Sequence, residues 1–277
     1  MPIIKRSAYK APIYYRNGHI STIVPSLLKN AKNPGYDRER LELDDGDFLD
    51  VDWLKPDDSD KVVIISHGLE GSSERYYVIQ CAKYFAKAGW NVMAWNYRSC
   101  SGEMNRNLRL YHHGVTDDLG AIVDQAKRSY PQVYMICYSM GGSTTLKYLG
   151  EQSENTPSEV KKAAVFSVPC NLWNSAERLK LQSNGLYKKR FLKKLKAKIV
   201  AKAQQYPDKV DILAIKELDT FEEFDARYTA QLNGFKDAAD FYETTTCDQF
   251  IPAIKTPTLI VNALNKSLHL VSLIFCL

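Results

Sequence analysis

The chain has 277 residues, 45% of them hydrophobic and 25% charged, enough for one large α/β core or two small ones and unlike a disordered or fibrous chain. The net charge of +5 comes without zinc-finger or RNA-binding signatures, so no nucleic-acid partner is expected. Six scattered cysteines with no C-x-x-C suggest neither a metal site nor a redox pair, and read as free thiols of a reducing cytosol.

The N-terminal MPIIKRSAYKAP lacks an apolar core of signal-peptide length, and no stretch approaches a membrane span, so a cytoplasmic protein is expected. Residues 1–36 are irregular by pattern, broken by Pro12, Pro25 and Pro34; His19 reads as a packing residue. Asp37 to Leu54 reads as a hairpin: Leu41 and Leu43 alternate with charges, Asp45-Gly46 turns the chain, and Phe48, Val51 and Trp53 follow. Val62-Val63-Ile64-Ile65 is a β-branched run of the kind a parallel strand buried on both faces shows. It ends in Ser66-His67-Gly68-Leu69-Glu70-Gly71. A helix with Val78, Ala82 and Phe85 on one face stops at Gly89, and Asn91 to Trp95 is the next strand. Thr116 is placed to cap a helix carrying Leu119, Ile122, Val123 and Ala126. Val133 to Cys137 is a strand, followed by a helix to Gly150 and a buried strand from Ala163 to Val168.

Residues 171–250 break this rhythm; they read as helical, with no clear strand. Lys188 to Lys202 is very basic on one side and carries Phe191, Leu192, Leu195, Ile199 and Val200 on the other. A docked amphipathic helix with a solvated basic side is expected, with a lid or a weak membrane-surface contact as alternatives. Thr258 to Val261, set up by Pro257, is a last strand before the apolar KSLHLVSLIFCL. The alternation predicts a single α/β domain over residues 1–277: a mostly parallel sheet with helices on both faces and residues 171–250 as a helical cap.

The strand–turn–helix from Val133 to Gly142 matches a nucleophile elbow, written here Cys137-Tyr138-Ser139-Met140-Gly141. Small residues two before and two after the serine avoid a clash with the neighbouring strand and helix. The His67-Gly68 loop to Gly71 stands where such a site draws one oxyanion donor, the Leu69 N–H, with the Met140 N–H as the second. Acid and base are poorly supplied. Asn265 and Lys266 occupy the place of a carboxylate, and His269 follows with no intervening strand. His112 and His113 precede the nucleophile in a loop beside Gly114 that could approach a cleft, and read as structural. Without a base, a serine hydroxyl is a weak nucleophile at neutral pH.

The ordered motifs R-N-G-H-I-S-T, H-G-L-E-G-S, N-Y-R-S-C-S-G-E-M-N-R, Y-H-H-G-V-T-D-D and Y-S-M-G-G resemble the YheT-type α/β-hydrolases, AB hydrolase family 4, with its ABHD1/ABHD3-like members, over about Arg16 to Asn265. The resemblance implies an α/β-hydrolase fold, a serine esterase of short-chain or lipid esters, Ser139 as nucleophile, an oxyanion loop at His67 to Gly71 and helices inserted after the sixth strand; no cofactor or metal is expected. It also implies a further strand, a histidine and a terminal helix that are missing here, so a truncated and inactive chain is expected. A non-catalytic ligand-binding protein is the alternative, and the oligomeric state is left open.

Overall fold

The hydrophobic pattern becomes strands where it alternates or runs unbroken. β1 (Asp37–Glu42) and β2 (Phe48–Leu54) pair antiparallel across a turn in which Gly46 takes φ 78°. β3 (Lys61–Ser66), β4 (Asn91–Asn96), β5 (Gln132–Tyr138), β6 (Val160–Phe166) and β7 (Thr258–Val261) complete a seven-stranded sheet in the order β1-β2-β4-β3-β5-β6-β7. β2 runs antiparallel to β4, and the strands from β4 to β7 are parallel. The computed structural model describes residue 12 and residues 31–56, 58–181 and 185–262; the expectations for His19, Asn265, Lys266 and His269 lie outside the described residues.

Helices α1 (Tyr76–Lys87), α2 (Thr116–Lys127) and α3 (Met140–Gln152) cover the sheet. The β3 run shows why both faces need cover. Val62 and Ile64 pack with Leu119, Ile122 and Val123 of α2 and Leu146 and Leu149 of α3, whereas Val63 and Ile65 pack with Val78 and Ala82 of α1. Each such side chain, fully buried, contributes about 1.5–3 kcal/mol.

Two boundaries differ from the sequence reading. β6 starts at Val160, which is buried and pairs with Val133; the register then shifts past the exposed Lys161, and Lys162 pairs with Tyr134. It ends at Phe166, where Ser167 takes φ 60°. Thr116 is the first helical residue rather than a cap. The cap is Val115, which makes no side-chain bond, and Asp117 and Asp118 in the first turn complement the helix dipole instead.

Between β6 and β7 lie α4 (Leu172–Lys180), α5 (Gly185–Gln205), α6 (Phe221–Phe224), a π-helical turn at Asp225–Thr229, α7 (Ala230–Leu232) and α8 (Ala238–Thr245). Among the described residues of this insertion there is no strand. Leu192 and Ile199 of α5 are buried with Leu110, Phe221 and Phe224. The expected solvated basic side is corrected in part. Lys202 is fully buried and donates to the carbonyls of Asn105 and Asn107 at 2.6 Å each, while Lys196 donates to Leu218 O at 2.6 Å. Loop carbonyls without ladder partners need donors, and lysine stems can cross an apolar surface to supply them. Lys189 and Lys193 stay exposed. No helix among the described residues is long and apolar enough to cross a membrane.

Candidate active site

Ser139 joins β5 to α3 at φ 53°, ψ −118°, a region that L-residues avoid. The surroundings impose it. Ser139 N–H donates to Phe166 O at 2.8 Å, and Ser139 O accepts from Ser143 N–H at 3.1 Å. A Cβ on Gly141 would lie 2.7 Å from His67 O and 2.8 Å from Ser66 Cβ, and one on Gly142 would lie 2.5 Å from Val168 Cγ2, so α3 packs this close only as glycine. Cys137 is fully buried, with its sulfur accepting from Thr145 Oγ1 at 3.0 Å; a thiol therefore fits where the elbow pattern has glycine.

The loop after β3 presses against the serine. A Cβ on Gly68 would stand 3.1 Å from Ser139 Cβ and 3.6 Å from its Oγ, and one on Gly71 would stand 2.8 Å from both Gly68 O and His67 Nδ1. His67 is buried. Its Nδ1–H donates to Gly68 O at 2.8 Å while Nε2 accepts from Tyr97 N–H at 3.4 Å, the tautomer that serves both. Burial pushes its pKa down to about 3, so it braces the loop as a neutral ring. Gly68 N–H donates to Tyr77 Oη, Glu70 N–H to Tyr111 Oη and Gly71 N–H to Gly68 O. Among the described hydrogen bonds the Leu69 N–H between them has no acceptor. Met140 opens α3, so its N–H belongs to the first turn, which has no intrahelical acceptor.

Ser139 and Leu69 line a pocket of about 880 Å³, open to solvent, together with His112, His113 and apolar side chains of the insertion such as Leu172 and Phe221. The sequence reading set the two histidines aside; the fold brings both to the serine's pocket. His112 stands edge-on to Phe235 and Phe241, and its Nδ1 accepts from Gly114 N–H at 3.1 Å. Burial, with Arg109 adding to it, lowers its pKa to about 3; burial lowers that of His113 to about 4. Among the described residues no histidine ring hydrogen-bonds a carboxylate or Ser139 Oγ, and no group of acidic, histidine or cysteine side chains could hold a metal ion.

The family model Hydrolase_4, described as serine aminopeptidase, S33, matches residues 57–265. YheT of Escherichia coli (strain K12) is 30% identical over 256 residues, covering 90% of this chain and 75% of YheT. The chain belongs to the YheT/ABHD3-like α/β-hydrolases. Phospholipase ABHD3 of Bos taurus is 25% identical over 275 residues, 95% of this chain and 66% of that protein. The monoacylglycerol lipase of Saccharomyces cerevisiae is 28% identical over 223 residues, and the chain spans 49% of its length. The fold is also that of the Pyrococcus furiosus esterase Pf2001 (TM-score 0.55, 17% identity, 88% of this chain and 78% of that one).

In this α/β-hydrolase two site features escaped the sequence reading. Asp225, in the π-helical turn, lines the pocket; it accepts from Thr229 Oγ1 at 2.6 Å and Tyr242 Oη at 2.7 Å, and burial pushes its pKa up to about 6. The Asp-x-x-x-Thr spacing was visible, but not the face it turns to the pocket. The second feature is a clamp on Glu70, which takes φ 55° beside Leu69. Glu70 Oε1 accepts from Tyr111 Oη at 2.5 Å and pairs with Lys198 at 2.9 Å, while Glu70 O accepts from Arg75 at 2.6 Å and Lys194 at 3.2 Å. Two lysines of α5 thus hold the peptide next to Leu69. Lys198→Met is expected to cost about 3 kcal/mol, the effect of orphaning a buried carboxylate, and to speed amide hydrogen exchange at residues 69–71. Unchanged exchange there would show that the loop keeps its shape without α5.

Proposed function

We propose that this chain is a serine ester hydrolase whose acyl-enzyme forms on Ser139. Ser139 Oγ attacks the ester carbonyl carbon, the Leu69 and Met140 N–H groups stabilise the oxyanion, the alcohol leaves, and water releases the acid. The observation that carries this reading is the strained Ser139, held against the loop whose Leu69 N–H has no acceptor among the described residues and opening into the same pocket. The apolar wall supports an ester with an apolar acyl group, short-chain or lipid, and the similarity to a phospholipase and a monoacylglycerol lipase points the same way. Residues 171–250 act as the cap of a single domain. The lysines that α5 spends on internal carbonyls and Glu70 count against a membrane-surface role for that helix.

Turnover is proposed to be slow, because burial holds the His112 and His113 imidazoles far less basic than a free histidine. A fluorophosphonate probe and a series of nitrophenyl esters test both halves. Ser139 is expected to be labelled slowly, with all labelling and residual turnover lost in Ser139→Ala. Labelling that survives Ser139→Ala would overturn the assignment of the nucleophile; fast turnover that Ser139→Ala abolishes would overturn the slow step alone. The second reading, a non-catalytic ligand-binding protein, is favoured by the same weakly basic histidines and predicts ligand affinity unchanged by Ser139→Ala.

A further inference from the structure

Cys170 and Cys247 lie 77 residues apart in sequence but stand at the two ends of the helical insertion. Cys170 follows β6 just ahead of α4, and Cys247 follows α8 just ahead of the short helical turn Asp248–Ala253 that leads to β7. Here the outgoing and returning chains run side by side. Asp248 N–H donates to Cys170 O at 3.1 Å, Leu172 N–H to Thr246 Oγ1 at 3.1 Å, and Asn171 Nδ2 to Asp248 Oδ2 at 3.2 Å. Cys247 Sγ lies 3.7 Å from Cys170 O, and both thiols are free. Backbones this close, joined by a hydrogen bond from Asp248 N–H to Cys170 O, are within reach of the Cα separation that a disulfide spans without rebuilding the fold.

We propose that Cys170 and Cys247 form a redox-modification site, a dithiol that a peroxide converts to a disulfide across the neck of the insertion. The environment divides the labour. The neighbouring Cys247 thiol favours the Cys170 thiolate against burial and the charge of Asp248, and Cys170 stays below its ordinary thiol range; the nearby N-terminus of α4 acts in the same direction. Cys247, fully buried beside that sulfur, is held as the thiol. Cys170 keeps 9% of its surface exposed, and its chain neighbours Pro169 and Leu172 line the open pocket, the side from which a small oxidant would approach. The Cys170 sulfur attacks one peroxide oxygen, the O–O bond breaks, and a sulfenic acid and one water result. The Cys247 sulfur then attacks the Cys170 sulfur; the S–O bond breaks and the hydroxyl leaves as a second water with the Cys247 proton. Two thiols are oxidised by two electrons and one peroxide is reduced to two waters. The bond closes a long loop at its base, where only non-covalent contacts now hold the insertion beside β6 and β7, and so opposes its detachment. Nothing in this step depends on the role of Ser139.

The full chain is treated with hydrogen peroxide and, in parallel, with diamide. It is then alkylated under denaturing conditions, digested without reductant and analysed by mass spectrometry. The expected result is a Cys170–Cys247 cross-linked peptide that dithiothreitol releases, full alkylation of Cys81, Cys100 and Cys137, and a raised melting midpoint. Cys247→Ser should leave a Cys170 sulfenic acid that dimedone traps. Recovery of both thiols alkylated after either oxidant, or a disulfide joining Cys170 to another cysteine, would overturn the proposal.

Discussion

Arg98→Leu is expected to destabilise the protein by about 3–5 kcal/mol, the loss seen when one member of a buried ion pair is removed. Arg98 is 3% exposed and lies in the loop after β4. Its Nε and Nη2 donate to Asp118 of α2 at 2.7–3.1 Å, and its Nη1 donates to Asp45 at 2.7 Å and Asp47 at 2.8 Å in the β1–β2 turn. One guanidinium therefore joins the hairpin, the sheet and α2. Asp118 and Asp47 are buried as well. Burial pushes Asp118 up, with Arg98 opposing it. For Asp47 burial is outweighed by hydrogen bonds from Asn105, the Arg106 and Phe48 amides and Arg98, and the group stays below its ordinary range. With leucine in place of Arg98, Asp118 loses every charged hydrogen bond described for it. Arg98→Lys should recover little, since an ammonium cannot reproduce the fork. At roughly 2–4 °C per kcal/mol for a chain of this size, the melting midpoint falls by about 10 °C. Arg98→Leu combined with Asp118→Leu should regain part of the loss, because no charge is then orphaned on α2. A midpoint unchanged in Arg98→Leu would show that the three aspartates do not depend on the guanidinium.

The sheet was legible wherever a strand's neighbours are generic. The Val62–Ile65 run requires cover on both faces whatever helices supply it, and the Val133–Gly142 stretch carries its own strand, turn and small residues. Ser139 and the His67–Gly71 loop were legible as a pair because each follows the end of a parallel strand, and adjacent strands put those ends together. Legibility fails where the partner is a loop carbonyl or a distant side chain. Lys198 and Lys202 look like any solvated lysine; Glu70 and the Asn105 and Asn107 carbonyls decide otherwise. His112 and His113 sit in a connection between β4 and α2 whose course no periodicity records, so the sequence allowed their approach to a cleft but gave no reason to prefer it over a structural role. Cys170 and Cys247 looked scattered because spacing along the chain says nothing of two segments that meet at the neck of an insertion.

Acid should unfold this protein from pH 6.5 downward, more steeply than titration of its surface explains. His67, His112 and His113 have folded pKa values lowered from 6.5 to about 3, 3 and 4. A group whose folded pKa is depressed takes up its proton in the unfolded chain first. Below pH 6.5 the unfolded state therefore binds up to three protons that the folded state refuses, and stability falls as pH falls. Asp225 acts with the opposite sign. Its folded pKa is raised from 3.8 to about 6, so the folded state holds a proton that the unfolded state has released, and its contribution grows as pH falls from about 6 toward 3.8. The histidines outnumber it. Three protons against one leave a net slope of about two protons near pH 5, roughly 3 kcal/mol per pH unit at about 1.4 kcal/mol each. A few kcal/mol lost by pH 5 is a large part of a typical folding free energy of about 5–15 kcal/mol. The measurement is the urea midpoint as a function of pH. It should be level between about pH 7 and 8, where the buried Lys202 begins to titrate, and drop from 6.5 downward. His113→Gln, which keeps a polar neutral side chain at a partly buried position, should reduce the slope by about one proton, while Asp225→Asn should steepen it between pH 6 and 4. A profile flat from pH 7 to 5 would mean that these imidazoles are wetter than their packing implies. The buried His67 would then be the first to re-examine, since its ring holds together the loop that carries Leu69.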